Sequence, residues 1–479
     1  MRSGAWTGSR SAVLCAYTHN GARAEMHGTI SHPLLLAQPL PTILRLAGPT
    51  TAVMFLQSGV SIAEMYVVGR LGTSALAGFQ LVFPFLMLMT MMAAGGIGGG
   101  IASAIARALG AGDRNRAASL AVHALLVAAG FALLWTVLMS VAGSAVFRAF
   151  GATGETLDFA NAYATALFAG AVAPWAMFAL SSILRGTGDV MTPGKYMLLA
   201  SMVQIPLSAV LVLGTAGWGL GSWTGLGIAG AAVSMIATSL LATVLMAHRL
   251  WQGRAGFVPS LADRGLAGAA FAPILKVGLI SSLSALLANL TTMLVNFAIK
   301  PFGDAAIAGY GIGARLEFIL VPLSFGIGSA LTTLVGIAAG AGQWDRARRF
   351  AWTGGMMAAA LTGTLGFAVA LFPGAWAGMF SSDAGVLEAA THYLTRAAPF
   401  YALFGLGMSL NFAAQGANRQ AMPLFASVLR TAIAGVGGYL LIVAWHGTLP
   451  DLFWLIGLAI LLYGAMIAGS LVVRPWGPR

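Results

Sequence analysis

The sequence predicts an all-α, polytopic membrane protein of about twelve transmembrane helices, built as two parallel six-helix repeats that form a V-shaped pair of lobes. Three observations carry that prediction. Only 8% of the 479 residues are charged and 58% are hydrophobic, with a mean hydropathy of +0.86. A soluble domain has about 25% charged residues, so this chain has nothing to cover a water-facing surface with, whereas lipid accepts an apolar exterior. Apolar stretches of the roughly 20 residues that span a bilayer recur along the whole chain, and the second half repeats the first.

Taken in order, residues 1–40 are expected to form a disordered cytoplasmic tail, polar and Gly-rich with Arg2, Arg10 and Arg23. Its SAVLCAY segment is too short and interrupted for the apolar core of about 7–15 residues that a signal peptide needs, and Met26 is an alternative first residue. Cys15 is the sole cysteine, which excludes an intramolecular disulfide. Spans are expected near 42–68, 76–105, 118–145, 158–184, 194–216 and 224–249, giving an N-terminal lobe over 41–249. A basic cytoplasmic linker over 250–270, with room for a short interfacial helix, leads to a C-terminal lobe over 271–473. Its spans fall near 271–299, 305–338, 350–376, 386–413, 424–446 and 450–473, before a short tail, 474–479.

The net charge of +12 raises nucleic acid as a partner, but the basic residues stand singly or in small groups between apolar runs, which excludes it. Of the 25 Lys and Arg residues, only Arg70, Arg148 and Lys300 fall in outer segments, and Arg315 and Arg396 lie inside spans. The rest, Arg107, Arg185 and Arg430 among them, fall in inner segments, and Arg114, Arg116, Arg346, Arg348 and Arg349 are read as topological anchors at inner ends. Such a bias places both termini in the cytoplasm, in a bacterial inner membrane.

The repeat is explicit. GRLGTSALAG from Gly69 matches KPFGDAAIAG from Lys300, and GAGDRNRA from Gly110 matches GAGQWDRA from Gly340, at an offset of 231 and then 230. Tyr163 meets Tyr393, Gly186 meets Gly416 and Pro193 meets Pro423. Because one period holds six spans, the halves enter from the same side and are related by an axis along the membrane normal, an arrangement in which transporters place their sites between repeats and rock one half against the other. Interior prolines at 84, 174, 206, 322 and 399 are expected to bend their helices. No P-loop is present: Gly194-Lys195 is followed by Tyr196, and position 189 is Asp. With neither a nucleotide motif nor an HExxH or similar catalytic cluster, an ion-driven transporter without cofactors is expected rather than an ATPase or another enzyme.

Several segments resemble the multidrug and toxic compound extrusion (MATE) family over roughly residues 40–470. They are the first-span pattern of Pro49, Gln57 and Glu64-Met-Tyr-Val-Val-Gly-Arg-Leu-Gly, the loop Arg185-Gly-Thr-Gly-Asp-Val-Met-Thr-Pro193, and Ala308-Gly-Tyr-Gly-Ile-Gly-Ala-Arg-Leu-Glu317. The resemblance implies a central cleft between two six-helix lobes and export of small hydrophobic or cationic molecules in exchange for H+ or Na+. It implies Glu64, with Gln57, as the ion-coupling residues; many members carry Asp where Glu64 stands. The alternative within the same superfamily is a lipid-linked saccharide flippase, which would want several cations in its cleft. Members with further acids in helices 7 and 10 are not matched here, since span 7 has none and span 10 only Glu388 at its outer end, which argues against a sodium site made of several carboxylates.

The residues themselves sharpen this. Ionisable groups at membrane depth are rare and functional by default. Glu64 has Val295 as its repeat equivalent, so the scaffold does not require an acid there. Arg315 and Glu317 stand opposite Pro84 and Leu86, and His392 and Arg396, which share a helix face at i, i+4, stand opposite Ala162 and Ala166. With Tyr401 they form an expected polar cluster in the second lobe that pairs internally and meets substrate. The partners expected are a small-molecule substrate and the lipid bilayer, with no obligatory protein.

Overall fold

The computed structural model describes residues 32–215, 219, 221–261, 265–473 and 475–477, and of Phe318 the backbone only. Cys15, Met26 and the tail up to residue 31 lie outside that range. Among the described residues every regular element is helical. Eleven helices are long and apolar enough to cross a bilayer, and one bent pair makes a twelfth span. The first six are α1 (Pro39–Gly69), α2 (Thr73–Gly110), α3 (Arg114–Ala149), α4a (Gly154–Ala169) with α4b (Val172–Gly186), α5 (Met191–Leu213) and α6 (Ala229–Trp251). The second six are α7 (Gly268–Ile299), α8a (Asp304–Ala314) with α8b (Glu317–Gly340), α9 (Trp344–Leu371), α10a (Ala384–Ala397) with α10b (Tyr401–Gly416), α11 (Ala421–Val443) and α12 (Leu449–Val473). Each predicted span falls on one of these.

The helices break where their sequences cannot continue the ladder. α4a and α4b meet at 47° around Gly170–Ala171, just ahead of Pro174, and α10 is interrupted by a 3-10 turn over Ala398–Phe400 that contains Pro399. These are repeat-equivalent places, and in each a proline withholds the amide that would bond the preceding turn. Pro84, Pro206 and Pro322 lie within continuous helix. α2 and α11 instead carry π-helical turns, at Met92–Gly96 and Thr431–Gly437.

In a bilayer, packing and hydrogen bonds rather than the hydrophobic effect hold helices together, which favours small residues at contacts. α7 crosses to the first lobe where Gly96 of α2 meets Ser282, and α1 crosses to the second where Gly326 of α8b meets Thr51. Gly96 and Gly326 are repeat mates, and any side chain there would overlap its neighbour. The first half of α2 and α4a pack chiefly within the first lobe, and α8a and α10a within the second. At the opposite, basic end the lobes meet directly: α2 lies against α8b and α10b, and α4b against α8b. An apolar cluster containing Ile43, Ala106 and Val190 from one lobe and Leu334, Ile337 and Phe350 from the other fills that junction. The cleft between the lobes therefore opens away from the basic end.

Two expectations are corrected by this packing. The tail does not run disordered to residue 40: Pro33–Leu35 form a 3-10 turn, Leu35 is buried in the junction, and α1 begins at Pro39. The linker holds no interfacial helix among its described residues. It turns at Gly253 and Gly256, buries Phe257 against the first lobe, and is tied by the Ala267 amide, which donates to Nε2 of His123 (3.3 Å). The inner-segment placement of Arg107 and Arg185 does not leave them in water. Arg185 is buried, donating to the Ser182 hydroxyl (2.8 Å) and the Ala94 carbonyl (3.3 Å), and Arg107 reaches across the junction to the Gly416 carbonyl (3.1 Å).

Candidate functional site

One carboxylate in each lobe lies inside the helix bundle, apart from the acids near helix ends such as Asp158 and Glu388. Glu64, five residues before the end of α1, is 6% exposed, and the Gln204 side-chain amide of α5 donates to its Oε1 at 2.7 Å. The buried Tyr163 of α4a, whose ring lies 5.0 Å from that of Phe79, stands near enough for the two groups to interact electrostatically. No basic side chain among the described residues forms an ion pair with Glu64. α5 brings Gln204 to this point because it packs along α1. Gln57 lies two turns earlier on α1 and is half-buried; the group that reaches Glu64 is Gln204.

In the second lobe Glu317 opens α8b just after the helix breaks at Arg315–Leu316. The Tyr393 hydroxyl donates to its Oε1 at 3.4 Å, the Tyr401 hydroxyl lies 3.1 Å from that of Tyr393, and Arg430 is close enough for its charge to act on the carboxylate. Arg430 sits over the rings of Phe404 (5.6 Å) and Tyr463 (5.7 Å). Its assignment to an inner segment is thus corrected: ten residues of α11 precede the π turn, and they carry it up into the lobe.

The polar cluster expected in this lobe is really three separate groups. Glu317 and Tyr401 belong together. Arg315 is exposed and stacks over Phe380 (5.0 Å) in the segment before α10a. His392 and Arg396 lie on another face of α10a, with Nη1 of Arg396 at 2.9 Å from Nδ1 of His392 and Nε2 of His392 at 3.5 Å from Glu388. That ladder runs toward Asp451 at the start of α12, with which Arg396 interacts electrostatically. Successive helical residues are about 100° apart, so Tyr393 and His392 cannot face the same neighbour. Met89, Tyr401 and Phe404 are core residues, at 1%, 0% and 6% exposure.

Tyr163 and Tyr393 are repeat mates, yet the acids beside them come from different helices, α1 in one lobe and α8b in the other. The duplication supplies the tyrosine, and each lobe has added its own carboxylate. Gln204 and Arg430 were not singled out from the sequence, although the signal was there: their repeat equivalents are Ala434 and Ala200, the same asymmetry that exposed Glu64.

Chemically, the first-lobe site offers a carboxylate, an amide and no counter-cation, which suits a small cation. The second-lobe site holds a carboxylate within electrostatic reach of an arginine that itself lies over two aromatic rings.

Known proteins agree with this architecture. The MatE family model matches residues 49–210 and 281–440, one stretch in each lobe. A probable multidrug resistance protein NorM from Deinococcus radiodurans is 29% identical over 416 residues, covering 83% of this chain and 87% of that protein. A FAD transporter from Shewanella oneidensis is 25% identical over 379 residues, covering 77% and 79%. The crystal structure of MATE in the straight conformation superposes with a TM-score of 0.82 at 26% identity, over 93% of this chain and 98% of that one. Matched in both halves by the same family, this multi-pass membrane protein belongs to the MatE family of multidrug efflux transporters.

Proposed function

We propose that the chain is a secondary antiporter that exports small hydrophobic or cationic compounds in exchange for protons or sodium ions, by alternating access, with Glu64 as the coupling group and the basic end facing the cytoplasm. The observation that carries this reading is the isolation of the Glu64 carboxylate, 6% exposed, met by one amide and no cation. An uncompensated buried charge is expensive, so the closed lobe favours a Glu64 that has taken up H+ or Na+. A state that admits water releases the ion. The asymmetry of the repeat supports the same view, because Val295 fills the equivalent place as ordinary core.

The test is export from vesicles driven by a proton gradient alone and by a sodium gradient alone. Glu64→Gln is expected to lose gradient-driven export under both, while Gln204→Leu, which keeps the acid and removes its donor, weakens export without abolishing it. Export by Glu64→Gln at the wild-type rate would remove Glu64 from the mechanism. Relatives named for multidrug resistance support the substrate class, and the relative named as a FAD transporter makes a flavin dinucleotide the competitor to include.

A further inference from the structure

The lobes close the basic end with one device used twice. The Ser103 hydroxyl of α2 donates to the Gln415 carbonyl of α10b at 2.5 Å, and the Thr333 hydroxyl of α8b donates to the Arg185 carbonyl of α4b at 2.9 Å. Ser103 and Thr333 are 230 residues apart, and so are Arg185 and Gln415. The two bonds are therefore repeat mates that cross the junction in opposite directions. Each ends on a carbonyl in the last turn of its helix, since α4b stops at Gly186 and α10b at Gly416. Each carbonyl also accepts from the turn that closes its helix, Arg185 from the Gly188 amide (2.9 Å) and Gln415 from the Asn418 amide (3.1 Å), so the hydroxyl from the other lobe is a second donor on the remaining lone pair. Both donors are fully buried. Thr333 keeps a fallback, the Ser329 carbonyl of its own helix at 3.5 Å, which softens the cost of letting go.

Close approach is built in the same reciprocal way. Gly110 faces the Ile337 carbonyl and Gly340 faces the Arg107 carbonyl, again mates in both members, and a Cβ at either glycine would overlap the facing oxygen. Arg107 breaks the symmetry, donating to the Ser103 hydroxyl, to the Gly416 carbonyl (3.1 Å) and at 3.4 Å to the Gln415 carbonyl itself, where the second lobe has Ile337.

We propose that Ser103 and Thr333 are the paired latch of an inner gate: cross-lobe hydrogen bonds that set the balance between the closed basic end and a state in which that end opens. The latch rests on the alternating-access part of the preceding proposal and is independent of the coupling ion.

The measurement is the distance between spin labels at Asn115 and Gln343, one on each lobe's exposed basic loop, in the full-length protein in lipid nanodiscs with Cys15→Ala. Ser103→Ala and Thr333→Val are each expected to shift the ratio of short to long distances about five-fold toward the open form, the loss of one net hydrogen bond. The double variant should shift it about 25-fold, as for independent sites. Thr362→Val is the control, because it removes a buried hydroxyl-to-carbonyl bond of the same kind (2.8 Å to the Tyr401 carbonyl) inside the second lobe, and it should leave the distances as in the parent. Gly110→Ala and Gly340→Ala should wedge the junction open from either side. Distances unchanged in Ser103→Ala and Thr333→Val while the glycine variants open would overturn the latch and leave packing alone to hold the gate. An equal shift in Thr362→Val would overturn it as general loosening. If no variant lengthens the distance, the latch and the rocking motion it serves are both wrong, whatever Glu64→Gln does in the export assay.

Discussion

Glu64 and Glu317 are the same residue type beside repeat-mate tyrosines, and their other neighbours give them different work. Glu64 has an amide and no cation, and Glu317 has a tyrosine hydroxyl and the charge of Arg430. Where a buried acid and a base act on each other, removing one strands the other, whereas removing both is close to neutral. Arg430→Leu is therefore expected to lower the melting temperature in detergent, and Arg430→Leu with Glu317→Gln to recover at least half of that loss; additive losses would show that the two groups do not interact. Arg315 follows neither pattern. Its guanidinium turns away from Glu317 to Phe380, ahead of α10a, and substitution there should leave the stability of the Glu317 site untouched.

Among the elements, the short segment ahead of α1 links the two lobes. His32 caps its 3-10 turn by accepting the Leu34 amide (3.3 Å) on Nδ1. Leu34 lies over Gly188 in the first lobe, and Arg346 from the second donates to the Ala37 carbonyl. Burial first, and then the Arg114 charge, hold the His32 imidazole below its ordinary value, against a hydrogen bond with the Thr187 backbone that acts the other way. The docked segment thus prefers neutral His32. Docking has its full strength above the undocked value of about 6.5 and weakens as the pH falls through it, because the released histidine takes up a proton that the docked one resists. A spin label at the exposed Leu36 should be immobile at pH 7.5 and freer at pH 5.5, and His32→Gln should remove the pH response. A spectrum that does not change with pH would mean that His32 plays no part in docking.

The whole molecule is governed by the parallel duplication. Asn115 and Gln343 open equivalent loops in the two halves and must lie on one side of the membrane, whereas Ser382, before α10a, must lie on the other. In Cys15→Ala protein, cysteines at the first two positions should react with an impermeant maleimide in everted vesicles and one at Ser382 in right-side-out vesicles. Reaction of Asn115 and Gln343 from opposite sides would contradict the parallel repeat. The twelve spans, their pairing as repeats and the isolated acid of α1 were legible in the sequence, because hydropathy, period and asymmetry are properties of position along the chain. The partners of that acid were not. Gln204 is 140 residues from Glu64, and only the packing of α5 on α1 joins them. The same holds for Arg430, which the sequence places near an inner end and the fold places beside Glu317, and for Ser103 and Thr333, which read as ordinary small residues of apolar helices. What the sequence determined by itself is the scaffold, since lipid demands apolar spans of a set length and a duplication repeats them. Which polar groups meet across helices and across lobes was decided by the tertiary structure, because hydrogen bonds act over a few ångströms and sequence separation carries no measure of that distance.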